Sequence, residues 1–188
     1  EAAFAQVPPF RPEPDDASVQ KAVEVLQAAE RPVIVAGGGV RWSEAGAAVV
    51  ALAEKLQIPV ATSLNGKDSI PGTHPLSVGV VGTYSRGSAN QVVMGADLVC
   101  FIGTETGGMT THFWKVPALG TKAIQIDIDP EALGRNYMLD AAVLGDAKVT
   151  VERMVARADA ATAASRTGWV SQARGHVGGW YQQYSELL

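Results

Sequence analysis

Three consecutive glycines are the first place where residue type and spacing in this chain could do chemistry. Gly37, Gly38 and Gly39 follow a short apolar run and precede a helical pattern. In a strand–glycine–helix unit, backbone N–H groups can approach a diphosphate near the helix start. The spacing is not that of the dinucleotide fingerprint G-x-G-x-x-G. Counted from Gly37, its last position falls on Trp42, whose indole cannot give the close helix–strand contact that a glycine allows. The next apolar run ends in Thr62, Ser63 and Leu64, so no carboxylate awaits a ribose. A standard dehydrogenase is disfavoured. The alternative reading of the triplet is that it only turns the chain.

The other candidates for chemistry are sparser. Asp127 and Asp129 end the run 121–129, at the strand edge where parallel sheets bind ligands, and alternation puts them on one side. Asp129 could instead cap a helix opening at Pro130. Cys100 lies between Val99 and Phe101, the setting of a buried, inert thiol. His74, His112 and His176 are far apart, with no cysteine or carboxylate at ligand spacing. There is no P-loop and no G-x-S-x-G elbow. No catalytic residue and no metal ligand is expected.

These residues need a frame, and the periodicities supply one. Apolar runs at 32–39, 58–63, 76–82, 97–103, 121–129 and 141–146 read as strands. Helical spacing joins Val19, Ala22, Val23 and Leu26, and again Ala45, Ala48, Val49, Leu52, Ala53 and Leu56, in a helix opened by Ser43. Ala89, Val92, Val93 and Ala96 suggest another helix, and residues 147–158 a closing one. Near-continuous apolar strands between helices predict an α/β fold: a doubly wound, mainly parallel, six-stranded, Rossmann-like sheet. The prolines at 8, 9, 12 and 14 mark residues 1–15 as an interdomain linker, leaving 16–159 as the central domain and 160–188 as a C-terminal connector. That connector carries Trp169, Val177, Trp180, Tyr181, Tyr184, Leu187 and Leu188, which predicts that it folds back on the sheet or pairs two copies. Gly178 and Gly179 are expected to break its helix and act as a hinge.

Composition narrows the classes. The chain has 188 residues, 47% hydrophobic and 18% charged, with a formal net charge of −4. Such a chain buries enough surface to fold without a disulfide or metal, as soluble globular proteins do. Mild acidity without a basic run argues against nucleic acid or an anionic membrane as partner. No apolar run approaches the roughly 18 residues of a membrane span. One cysteine suits a reducing cytoplasm. The chain begins at Glu1, which reads as an excised fragment.

In order and with matching gaps, AERPVIVAGGGV (29–40), LAEKLQIPVATSLNGKDSIPGTHPLSVGVVG (52–82), ADLVCFIG (96–103), IQIDIDPEALG (124–134) and GDAK (145–148) resemble the central domain of thiamine-diphosphate enzymes, the acetolactate synthase large subunit above all. The resemblance covers about 19–155. It implies a three-domain parent whose thiamine diphosphate and Mg²⁺ lie between the first and third domains, the middle one being catalytically silent. The third domain's Gly-Asp-Gly motif and downstream asparagine hold the metal. Here Gly145-Asp146-Ala147 is followed by no asparagine, so this chain alone should not bind that cofactor.

Flavin-containing members carry FAD in the central domain, and a relative acting on oxalyl-CoA binds ADP there. By resemblance, Gly38 and Gly39 match the diphosphate loop, and Ser63, Leu64 and Asn65 the segment on the flavin half. Gly79, Val80 and Val81 match a stretch that reads Gly-Met-His in acetolactate synthase. Asp127 and Ile128 match ribose and adenine contacts, and Asp146 a carboxylate near the adenine. The departure follows Gly103, where flavin-binding members read Ala-Arg-Phe-Asp-Asp-Arg. This chain reads Thr104-Glu105-Thr106-Gly107-Gly108-Met109, with Glu105 replacing the first arginine and Met109 the second, so weak or no FAD binding is expected. The implied partners are the other domains of the parent chain and a second copy as a homodimer. The reading from another class is a stand-alone nucleotide-binding module, either a flavoprotein electron carrier or an NAD-dependent deacylase-like domain.

Overall fold

The structure, a computed structural model, describes residues 10–185. Six strands form one sheet: β1 (Pro32–Ala36), β2 (Val60–Thr62), β3 (Ser77–Val80), β4 (Leu98–Ile102), β5 (Lys122–Asp127) and β6 (Ala141–Leu144). They run in the order β3-β2-β1-β4-β5-β6, every pairing parallel. That is the order of dinucleotide-binding sheets, with its switch point between β1 and β4. The expected α/β fold is borne out, and the sheet is wholly rather than mainly parallel.

Alternation along the strands makes two cores. Ile34, Ala36, Leu98, Cys100 and Ile102 face one side, covered by α1 (Asp16–Ala28), α3 (Gly46–Leu56) and α5 (Ala147–Arg157). Val33, Val35, Val99 and Phe101 face the other, covered by α4 (Gly87–Gly95) and α6 (Thr167–Tyr184). Burial on both faces explains why β1 and β4 are apolar at every position. Caps fix helix starts where the sequence has aspartates: Asp15 accepts from Ser18 N, and Asp146 from Lys148 N and Val149 N.

Two local expectations are corrected. Ser43 does not open the long helix; it closes α2 (Gly38–Trp42), a single turn, and Glu44 in the left-handed region (φ 55°) redirects the chain before α3. Nor do Gly178 and Gly179 break the last helix, for α6 runs through both. Its anchors lie on either side of them. Trp169 is buried and donates Nε1–H to Pro32 O at 2.8 Å, and Arg86 stacks on Trp180 and Tyr181 at 5.0 and 5.4 Å. Held from both sides, the helix tolerates the roughly 1 kcal/mol that each glycine costs. Of the two outcomes expected for the tail, folding back on its own sheet is the one observed for residues 160–185. Leu187 and Leu188 lie outside the described residues, as does most of the proline-rich start.

Candidate functional site

The C-terminal edge of the sheet carries a groove in two parts. The larger, about 640 Å³, is lined by Gly38, Arg41, Ser63, Leu64, Asn65, Thr104, Glu105 and Thr110. The smaller, about 80 Å³, lies between Trp42, Ser43, Ile126, Asp127, Ile128, Gly145, Asp146 and Ala147. Gly39, Trp42 and Gly103 belong to both. Of the residues singled out in the sequence, Gly38, Gly39, Ser63, Leu64, Asn65, Gly103, Asp127, Ile128 and Asp146 are therefore brought together. Gly79, Val80 and Val81 line neither part, which departs from the expectation. The β2–β3 register shifts between Val60 and Ala61, Gly79 packs against Arg86, and Val81 turns into the core.

The glycines are spent largely within the fold. Gly37 N donates to Ile102 O (2.8 Å) and Gly39 N to Gly103 O (2.9 Å). A Cβ on Gly37 would overlap the Gly103 carbonyl oxygen, and one on Gly39 would lie 2.7 Å from Gly103 Cα. The two turns, one after β1 and one after β4, thus touch backbone to backbone. Among the described residues, Gly38 alone of the three donates its N–H to nothing. A diphosphate cradle needs several such donors converging, and this loop offers one.

The charges around the groove are mostly engaged. Glu105 pairs with Arg135 at 3.6 Å on the surface. Asp127 has its carboxyl raised above the usual range, chiefly by burial and further by the charges of Asp129 and Glu105, although backbone N–H bonds from Asp129 and Ile128 work the other way. Asp129 closes a turn by accepting from Glu131 N at 2.9 Å, and no helix opens at Pro130. Asp146 is almost completely buried. Its carboxylate accepts from Lys148 N, Val149 N, Ser43 Oγ and Arg11 Nη1 at 2.8–3.2 Å. Arg11 also donates to Ser43 O at 2.7 Å.

Arg11, Arg41, Ser43, Thr104 and Arg135 were not named as site residues from the sequence, where Ser43 was read only as a helix opener. Arg11 meets Asp146 across 135 positions, and no local pattern announces such a pairing. Elsewhere the residues with reactive side chains are quiet. The Cys100 thiol is buried and pushed up to about 12 by desolvation. His74 Nδ1 accepts from Leu76 N at 3.2 Å, which leaves its Nε2–H for Glu54 at 3.2 Å. Among the described residues, no three His, Cys, Asp or Glu side chains could hold a metal, and no helix is long and apolar enough to cross a membrane.

Comparison with known proteins gives this frame a lineage. Residues 19–154 match the family profile of the thiamine pyrophosphate enzyme central domain. The chain is 38% identical over 141 residues to the "Probable acetolactate synthase large subunit" of Methanococcus aeolicus, spanning 75% of this chain and 24% of that protein. It is 35% identical over 153 residues to the glyoxylate carboligase of Escherichia coli O157:H7, spanning 81% and 26%. A solved Mycobacterium smegmatis protein assigned as a thiamin diphosphate-dependent enzyme superposes with a TM-score of 0.63 at 28% identity, covering 80% of this chain and 29% of that one. The chain thus spans about a quarter of the length of the relatives it matches. It belongs to the thiamine pyrophosphate enzyme family, and what it represents is that family's central domain, of the acetolactate synthase-like kind.

Proposed function

We propose that this chain serves as the non-catalytic, structural central domain of a thiamine-diphosphate- and Mg²⁺-dependent carboligase or decarboxylase, working in the cytoplasm beside the other domains of its parent chain and as a homodimer. The observation that carries the reading is the match over 19–154 combined with coverage of only a quarter of each relative. The residues present support a silent role. The best-placed carboxylate, Asp146, is saturated by its own chain, and Gly145-Asp146-Ala147 lacks the second glycine and later asparagine of a metal–diphosphate motif.

The groove is read as a vestigial FAD or ADP site. Glu105 stands where flavin-binding relatives place an arginine. Two like charges about 4 Å apart repel by about 4 kcal/mol at an effective dielectric near 20, roughly a thousandfold in affinity. The Arg135 pair at 3.6 Å is half-exposed and offsets only part of that.

A thermal-shift series tests both parts. The isolated chain should melt at the same temperature with and without thiamine diphosphate plus Mg²⁺, and likewise with FAD, since any ligand of the native state must raise it. A saturable upward shift of several degrees with thiamine diphosphate would refute the silent role. A yellow purified protein would refute the vestigial site.

A further inference from the structure

The proline-rich arm before α1 is more than a connector. Arg11 lays its guanidinium on Asp146 (3.0 and 3.2 Å), Ser43 Oγ (2.9 Å) and Ser43 O (2.7 Å), with Glu44 at 3.7 Å. The next residue continues the attachment, Pro12 O accepting from Asp146 N at 2.8 Å. Pro14 packs so closely on Gly145 that a Cβ there would lie 2.9 Å away. Arg153 of α5 then holds Pro14 O and Asp16 at 3.2 and 3.3 Å. The arm thus binds across the outlet of β6 rather than pointing away from the domain.

Three of the residues the arm holds, Ser43, Gly145 and Asp146, also wall the smaller part of the groove. Its walls are apolar (Trp42, Ile126, Ile128, Ala147), and Asp146 is the acceptor at its end. Apolar walls with carboxylates at Asp127 and Asp146 suit a planar heterocycle carrying N–H donors, as a purine does. Asp146 cannot serve one while Arg11, Ser43 and two backbone N–H groups use its lone pairs.

We propose that the arm at Arg11–Pro12 is a strap that shuts the β6 end of the groove against a nucleobase by occupying Asp146. This rests on reading the groove as a nucleotide site that has fallen out of use. The strap is local. Arg11 is held by charge-assisted bonds that a neutral residue would weaken, whereas the core strands lie beneath and do not depend on it.

The test uses Arg11→Gln, with Arg11→Lys as the conservative partner, and adenosine as an uncharged probe, so that Glu105 does not enter. In Arg11→Gln, hydrogen exchange at the Asp146 amide should accelerate at least tenfold while the Val99 and Cys100 amides keep their protection. Adenosine should then give saturable NMR shifts at Ile128 and Asp146 that are absent from the unaltered chain. Arg11→Lys, which keeps the charge but not the forked geometry, should fall between the two and serves alone if the glutamine variant does not fold. Unchanged exchange at Asp146, or adenosine binding equally well to the unaltered chain, overturns the strap. Faster exchange without adenosine binding also overturns the proposal, and places the failure in the reading of the groove rather than in the arm.

Discussion

Arg166 is the side chain on which the fold should depend most visibly. It sits in the 3-10 segment Ala160–Arg166, ahead of α6, and is wholly buried. Its guanidinium donates to Leu26 O (2.7 Å), Gln27 O (3.3 Å), Ala29 O (3.0 Å) and Leu56 O (2.9 Å). Those carbonyls lie at the C-terminal ends of α1 and α3, where a helix runs out of its own N–H donors and where its dipole favours a cation. One buried fork therefore caps two helices at once. Desolvation pushes its pKa below the usual arginine value, with the nearby Asp97 charge opposing.

Arg166→Met keeps much of the volume and removes every donor. A buried ion group can be exchanged for apolar residues at little cost when all its partners go with it. Here the partners are backbone carbonyls and cannot go. Each stranded carbonyl costs about 1–3 kcal/mol. If water reaches about half of the four, the loss is about 2–6 kcal/mol, a large part of the roughly 5–15 kcal/mol of a typical domain. Equilibrium urea unfolding should show the midpoint falling with an unchanged slope. Arg166→Lys, with three donors in place of five, should lose about half as much. A methionine variant within about 1 kcal/mol of the unaltered chain would refute the two-helix cap.

Further expectations follow from the same contacts. Trp169→Ala should cost about 3–5 kcal/mol in the same urea assay, because it empties the second core and strands Pro32 O. Asp127, with its folded pKa raised, contributes stability that is present below its unfolded value and lost as pH rises through the folded one. Asp127→Asn should therefore raise the melting temperature at pH 7, with the gain shrinking to nothing once the pH falls below about 4. Cys100, held at a pKa of about 12, should react with a thiol reagent at the rate of global unfolding and no faster; fast labelling of the native chain would count against its burial.

The strands were legible because both faces of this sheet are covered. Val33–Ala36 and Leu98–Ile102 are buried at every residue, so they read as unbroken apolar runs, and the helices between them showed their own period. The helix breaks were harder. Ser43 looks like a cap by type, yet the chain uses it to end one turn of helix and to hold Arg11. Gly178 and Gly179 look like a hinge by type, yet stacking of Arg86 on Trp180 and Tyr181 keeps the helix intact. In both places a tertiary partner overrides a local preference that is worth about 1 kcal/mol.

The groove shows the same limit from the other side. Its position could be read from the strand ends, since Gly39, Gly103, Asp127 and Asp146 each follow or close an apolar run. Its occupancy could not, because what engages those residues comes from far along the chain: Arg11 for Asp146, the Gly103 carbonyl for Gly39, Arg135 for Glu105. A glycine loop and a carboxylate advertise a ligand only while their donors and lone pairs are unspent. Here Gly37 and Gly39 have given their N–H groups to the end of β4 and the turn after it, and Asp146 has filled its acceptors with a cap and an arm. The same residue types that would hold a nucleotide in an open groove instead tie the first turn to the β4 turn, and the arm to Ser43 and Asp146. That is what a domain needs if its task is to hold its neighbours in place.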